Sequence, residues 1–173
     1  MNIQSGGTTY DLSHLKTTHR DVEVELRGGF LKVISLEFKF SNHCYTREIP
    51  KEEVIPDDEK IKDGSTQYPR FRAFDRHRYD LSFYLMALID ELIKKKGKVF
   101  DSPHHNFHHS QLVRGDESID YVIFMNAKKS KDEPKRIQVY VESAYSYDPK
   151  APPFSTAKPQ SFFKKLSNVW CRS

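Results

Sequence analysis

The segment FSNHCYTRE sets a titratable imidazole, a thiol, a phenol and a fixed cation close together, at His43, Cys44, Tyr45 and Arg47. A cysteine beside a histidine invites a nucleophile with its base. In a regular strand, however, adjacent side chains point to opposite faces, so His43 cannot serve Cys44 there. Cys44 is then a small buried filler, while His43, Tyr45 and Arg47 share a face. Further on, YPRFRAFDRHRYDLS alternates Arg70, Arg72, Arg76 and Arg78 with aromatic residues just before an apolar periodic run. Guanidinium groups at a helix start oppose the helix dipole, which is relieved either by a bound anion or by Asp75, Asp80 and glutamates from elsewhere. Four histidines, His104, His105, His108 and His109, fall within six residues. On a helix they would form two i, i+4 pairs within reach of a metal, but no glutamate stands between them as in zinc proteases. An exposed polar loop accounts for the run as well, and no metal or other cofactor is assigned.

Taken together these groups could act on a phosphodiester without metal. That chemistry needs a base for the 2′-hydroxyl, donors over the charged transition state and an acid for the leaving oxygen. His43 or His105 would serve as acid or base, Arg47 and Arg78 as phosphate clamps, and Tyr145 and Ser143 as donors from a late strand in VESAYSYD. Arg72, Arg76, Ser82, Asn106 and Phe107 complete the ligand contacts, with Tyr45 and Phe107 available to stack an unpaired base.

The elements that must position these residues follow from periodicity. VEVEL at Val22–Leu26 and FLKVISLEFKF at Phe30–Phe40 alternate, with Gly28 and Gly29 between them, which predicts a hairpin. Residues 50–68 are charged and carry Pro56 and Gly64, which predicts an exposed loop or a short helix inside one. From Arg78 to Lys96, apolar residues recur at three- and four-residue steps in two rows, and Gly97 follows three lysines. This predicts one long, well-buried central helix with a complemented C-terminus. Residues 101–110 read as an irregular polar segment. IDYVIFMNA at Ile119–Ala127 and RIQVYVES at Arg136–Ser143 predict a second hairpin. The expected fold is α+β, a mainly antiparallel sheet of four or five strands on one long helix. Residues 1–147 would form the domain, and 148–173 an extended basic tail with a short helix or edge strand.

The 173 residues carry 28 Lys and Arg against 24 Asp and Glu, a mild excess of +4, with basic clusters at 94–98, 128–136 and beyond 150. Such patches fit RNA or an acidic protein partner, and equally a solvated surface. No stretch approaches the roughly 18 apolar residues of a membrane span. Two cysteines and 13% aromatic residues exclude a disulfide framework and a disordered chain. With no secretory signal pattern at the start, the expected location is the cytoplasm, without membrane contact.

Over roughly Tyr10 to Tyr147, FSNHCYTR, RAF with RYDLS, HNF, and SAY after a hairpin resemble poorly characterised bacterial proteins of plasmids, prophages and stationary-phase adaptation loci. The order of helix, histidine-bearing segment and hairpin ending in Ala-Tyr is similar to metal-independent ribonuclease toxins of the barnase, colicin and RelE kind. That resemblance implies an RNA-cleaving or RNA-binding domain. The alternative is a non-enzymatic interaction protein of a mobile element or stress locus whose surface grips a protein partner.

Overall fold

The structure, a computed structural model, describes residues 1–64, 70–102, 107–114, 118–133, 135–147 and 158–171, with the backbone alone at 108–114 and 118. The predicted hairpins form. β3 (Thr18–Glu25) and β4 (Leu31–Phe40) pair antiparallel with Val22 opposite Ile34, and Gly28 and Gly29 carry the turn at φ of 92° and 81°. β10 (Ser118–Lys129) and β11 (Arg136–Ser146) form the second hairpin. β11 then lies parallel to β4, with Val139 beside Phe38, and this pairing joins the two hairpins into one sheet.

That sheet is wider than four or five strands. Beyond β10 lie β9 (Phe107–Arg114), β8 (Lys98–Asp101) and β12 (Gln160–Ser161), giving seven strands in the order β12-β8-β9-β10-β11-β4-β3. Residues 101–110 read as irregular because polar side chains hide a strand whose pairing to β10 supplies its stability. A smaller sheet, β5 (Thr46–Glu48), β7 (Arg70–Phe74) and β6 (Ile61–Asp63), has β7 at its centre, and β1 (Asn2–Ser5) pairs with β2 (Thr8–Asp11).

The single long helix is not formed. α1 (Arg76–Ser82) and α2 (Leu85–Lys94) are separated at Phe83 and Tyr84. The Ser82 hydroxyl donates 2.6 Å back to the Tyr79 carbonyl and meets His14 Nε2 at 2.6 Å, while Tyr84 N–H reaches Leu81 O in a tighter turn. A serine bonding back to its own turn competes with the regular ladder, and hydrophobic periodicity does not register this. α2 ends as expected near Gly97, but Lys96 takes the left-handed conformation at φ 48°. Gly97 N–H bonds Leu92 O at 2.8 Å, as in a Schellman cap, and a Cβ on Gly97 would sit 2.8 Å from Leu92 Cδ1.

α3 (Phe162–Cys171) buries Phe162, Leu166 and Val169 in the same core as Leu85, Ile89 and Leu92 of α2 and Val24, Ile34, Leu36, Val139 and Ile123 of the sheet. The residues set apart as a tail therefore supply part of the core. Lys32 and Lys129, from β4 and β10, each stand 4.9 Å from the Trp170 ring near the end of α3. No helix among the described residues is long and apolar enough to cross a membrane.

Candidate functional site

A cleft of about 790 Å³ opens against β11, lined by Ser41, His43, Glu48, Asp63, Phe124, Tyr140, Glu142, Ser143 and Tyr145. Its floor depends on a β-bulge. Phe124 faces Ser143, but the next residue, Met125, faces Val141, which leaves Glu142 as the extra residue. In a regular strand Glu142 would face away from Ser143 and Tyr145; the bulge turns all three, with Tyr140, toward the cleft.

The opposite wall comes from a single helical turn, Asn42–Cys44, and from β6. Ser41 caps the turn. Its hydroxyl donates to Glu142 O at 2.6 Å and accepts His43 N–H at 3.1 Å, tying the turn to the bulge. His43 Nε2 lies 2.9 Å from Asp63 Oδ2. Burial opposes ionisation of Asp63, but the His43 hydrogen bond and charge, aided by Arg72 and Asn42, hold its carboxyl below the usual range. In either protonation state the imidazole presents its Nε2–H to the carboxylate, which leaves Nδ1 turned away from Asp63. Cys44, next in the turn, is fully buried, and desolvation pushes its thiol up to about 12.

Arg78 stands behind this wall. It donates to His43 O at 3.2 Å, approaches Asp75 at 3.6 Å, and lies 5.0 Å from the Tyr145 ring, whose centroid in turn is 5.7 Å from that of Phe124 in a near-parallel stack. Of the four residues proposed for catalysis, His43, Arg78 and Tyr145 therefore come together, the first and last lining the cleft with Ser143. Arg47 does not join them. On β5 it turns away and makes a two-pronged pair with Glu53 at 2.5 and 2.6 Å. The expectation that His43, Tyr45 and Arg47 share a face gives way because His43 sits in a helical turn, while Tyr45 is buried.

Arg72 and Arg76 are also occupied. Arg72 is 7% exposed, with Nε 2.7 Å from Thr46 Oγ1, and burial presses its guanidinium down. Arg76 pairs with Asp80 at 2.9 Å. Asp75 caps α1 by accepting Arg78 N–H at 3.0 Å. Asp75 and Asp80 thus supply negative charge at the helix start. Ser82 is spent on Tyr79 and His14, and Phe107 is 1% exposed in the core against Phe162, 6.0 Å between ring centroids. Neither reaches the cleft. Asn106, His104 and His105 lie outside the described residues. His108 and His109 are in β9, where helical i, i+4 spacing does not apply. Among the described residues no group of three His, Cys, Asp or Glu side chains could hold a metal ion.

Sequence reasoning passed over Glu48, Asp63, Glu142, Phe124 and Tyr140. Asp63 sits in a loop that reads as solvated charge, and nothing in the pattern of β11 announces the bulge. The lining carries three carboxylates, one imidazole and, among the described residues, no lysine or arginine. Its field is visible at Tyr140, whose phenol is pushed up first by burial and then by Cys44, Asp63 and Glu142.

Residues 2–170 match the model of the YjaZ family. The chain belongs to the YjaZ family. No curated protein and no solved structure matches it. The family description names no reaction or ligand.

Proposed function

We propose that the cleft receives a cationic group, the ammonium or guanidinium of a protein partner, and that the chain acts as a non-enzymatic interaction protein. One observation carries this reading: Glu48, Asp63 and Glu142 line a single cleft beside the Tyr140 ring, which is 43% exposed. Carboxylates favour a cation, and an aromatic face adds attraction for it and for the apolar stem of a lysine or arginine. The volume lies within the range of about 300–1,000 Å³ usual for ligand sites.

Titration calorimetry with a Gly-Arg-Gly tripeptide tests this. Binding should weaken about fivefold in Glu142→Gln, as expected for loss of one partly exposed charge partner worth about 1 kcal/mol. It should weaken again at high salt. Preference for a nucleoside monophosphate over the tripeptide would overturn the reading.

A second reading, RNA cleavage without metal, draws on the meeting of His43, Arg78 and Tyr145. His43 Nδ1 would exchange the proton and the Tyr145 and Ser143 hydroxyls would face the phosphate, with Arg78 adding positive charge from behind the wall. Incubating RNA with the protein in EDTA tests it, and RNA left both intact and unbound removes it.

A further inference from the structure

We infer that the free edge of β3 is a docking site for an extended protein segment that alternates basic and apolar residues, added as an eighth strand. β3 ends the seven-stranded sheet, and among the described residues its only strand partner is β4. One row of its backbone N–H and C=O groups thus faces no strand, which is the template that strand addition uses.

The edge also borders a built groove. A hollow of about 620 Å³ runs between β3 and α3, lined on the strand side by Glu23, Glu25 and Leu26 and on the helix side by Phe163, Lys164 and Ser167. On β3 itself Val22 and Val24 point into the core, while Asp21, Glu23 and Glu25 are exposed on the other face. No ion pair engages these three carboxylates among the described residues. A strand laid beside β3 shares its alternation. Its outward residues would stand next to Asp21, Glu23 and Glu25, and lysine or arginine fits there. Its inward residues would meet Phe163 and Leu26 in the hollow, where an apolar side chain fits. The two faces together specify alternation and not merely positive charge.

The same geometry disfavours a second copy of this chain as occupant. When two β3 edges pair antiparallel about an axis normal to the sheet, residues of equal parity face each other. Every register that overlaps all three acidic residues then sets acid against acid, and like charges directly opposite are destabilising. The acidic column guards the edge against its own kind and leaves it open to a basic strand.

The test uses the full chain and a fluorescein-labelled, alternating Lys-Val heptapeptide, with two controls: the same residues arranged in blocks, and an alternating Glu-Val peptide. Fluorescence anisotropy should show the alternating Lys-Val peptide binding about tenfold more tightly than the block arrangement, and hydrogen exchange should slow at the β3 amides. The triple variant D21K, E23K, E25K, with its fold checked by circular dichroism, should switch preference to the Glu-Val peptide. The slowed exchange at the β3 amides should persist in Glu142→Gln, which separates the edge from the cleft. Equal binding of the block peptide, unchanged exchange at β3, or sedimentation showing the unliganded chain paired through β3 would each overturn the proposal.

Discussion

Replacing Tyr121 with phenylalanine should stabilise the protein. Tyr121 lies on β10 with no exposed surface, and among the described residues its hydroxyl has no hydrogen-bond partner. Desolvation drives the phenol's ionisation far above its ordinary range, with the field of Cys44 adding to this and that of Arg78 opposing it. In the unfolded chain the hydroxyl is hydrated, so folding strips that hydration without return. An unsatisfied buried group of this kind costs about 1–3 kcal/mol. Phenylalanine keeps the ring and its packing and removes only the oxygen. Taking the low end, since partial compensation is common, the variant should gain about 1 kcal/mol, raising Tm by about 2–4 °C for a chain of this size. Urea unfolding followed by circular dichroism measures this, and the midpoint should rise with the slope unchanged. A variant less stable than the parent by more than about 0.5 kcal/mol would refute the reasoning, because the hydroxyl would then be held by a partner such as a buried water.

Phe107→Ala should cost about 3–5 kcal/mol in the same assay, as for a core aromatic, and leave tripeptide binding in the folded fraction unchanged; loss of ligand binding without loss of stability would contradict its place in the core. Iodoacetamide at neutral pH should modify Cys171, which is exposed, and spare Cys44 until the chain is denatured, as read by mass spectrometry. His14 is pressed below 6.5, first by desolvation and against the pull of Asp11. The unfolded chain therefore binds its proton more readily, and stability should fall as pH drops below about 6.5. His14→Gln should flatten that limb of the pH profile, and an unchanged limb would show that His14 is not its source.

The elements most legible in the sequence were those whose signal is local. VEVEL and FLKVISLEFKF alternate because one face meets the core, and the two glycines between them supply the positive φ that the turn needs. IDYVIFMNA and RIQVYVES declare themselves in the same way. The break between α1 and α2 was not legible, because it turns on a Ser82 hydroxyl bonding within its own turn and to His14, a residue 68 positions away. Nor was β9, whose polar residues become a strand only when β10 is alongside.

For the site, the types His43, Arg78, Tyr145 and Ser143 could be picked out, but not what surrounds them. Arg47, Arg72 and Arg76 read as phosphate ligands because a sequence shows charge and not its partner; Glu53, Thr46 and Asp80 occupy them in the folded chain.

By itself, then, the sequence determined an aromatic-cored α+β chain with two hairpins and helix-forming stretches, since periodicity and turn chemistry act between near neighbours. Tertiary structure alone decided the character of the cleft. A one-residue bulge brought Glu142 round to Asp63 and Glu48 and so set carboxylates beside His43, Ser143 and Tyr145. The physical reason is that a site's field is set by which charges meet across the fold, and that depends on strand register, which composition does not encode.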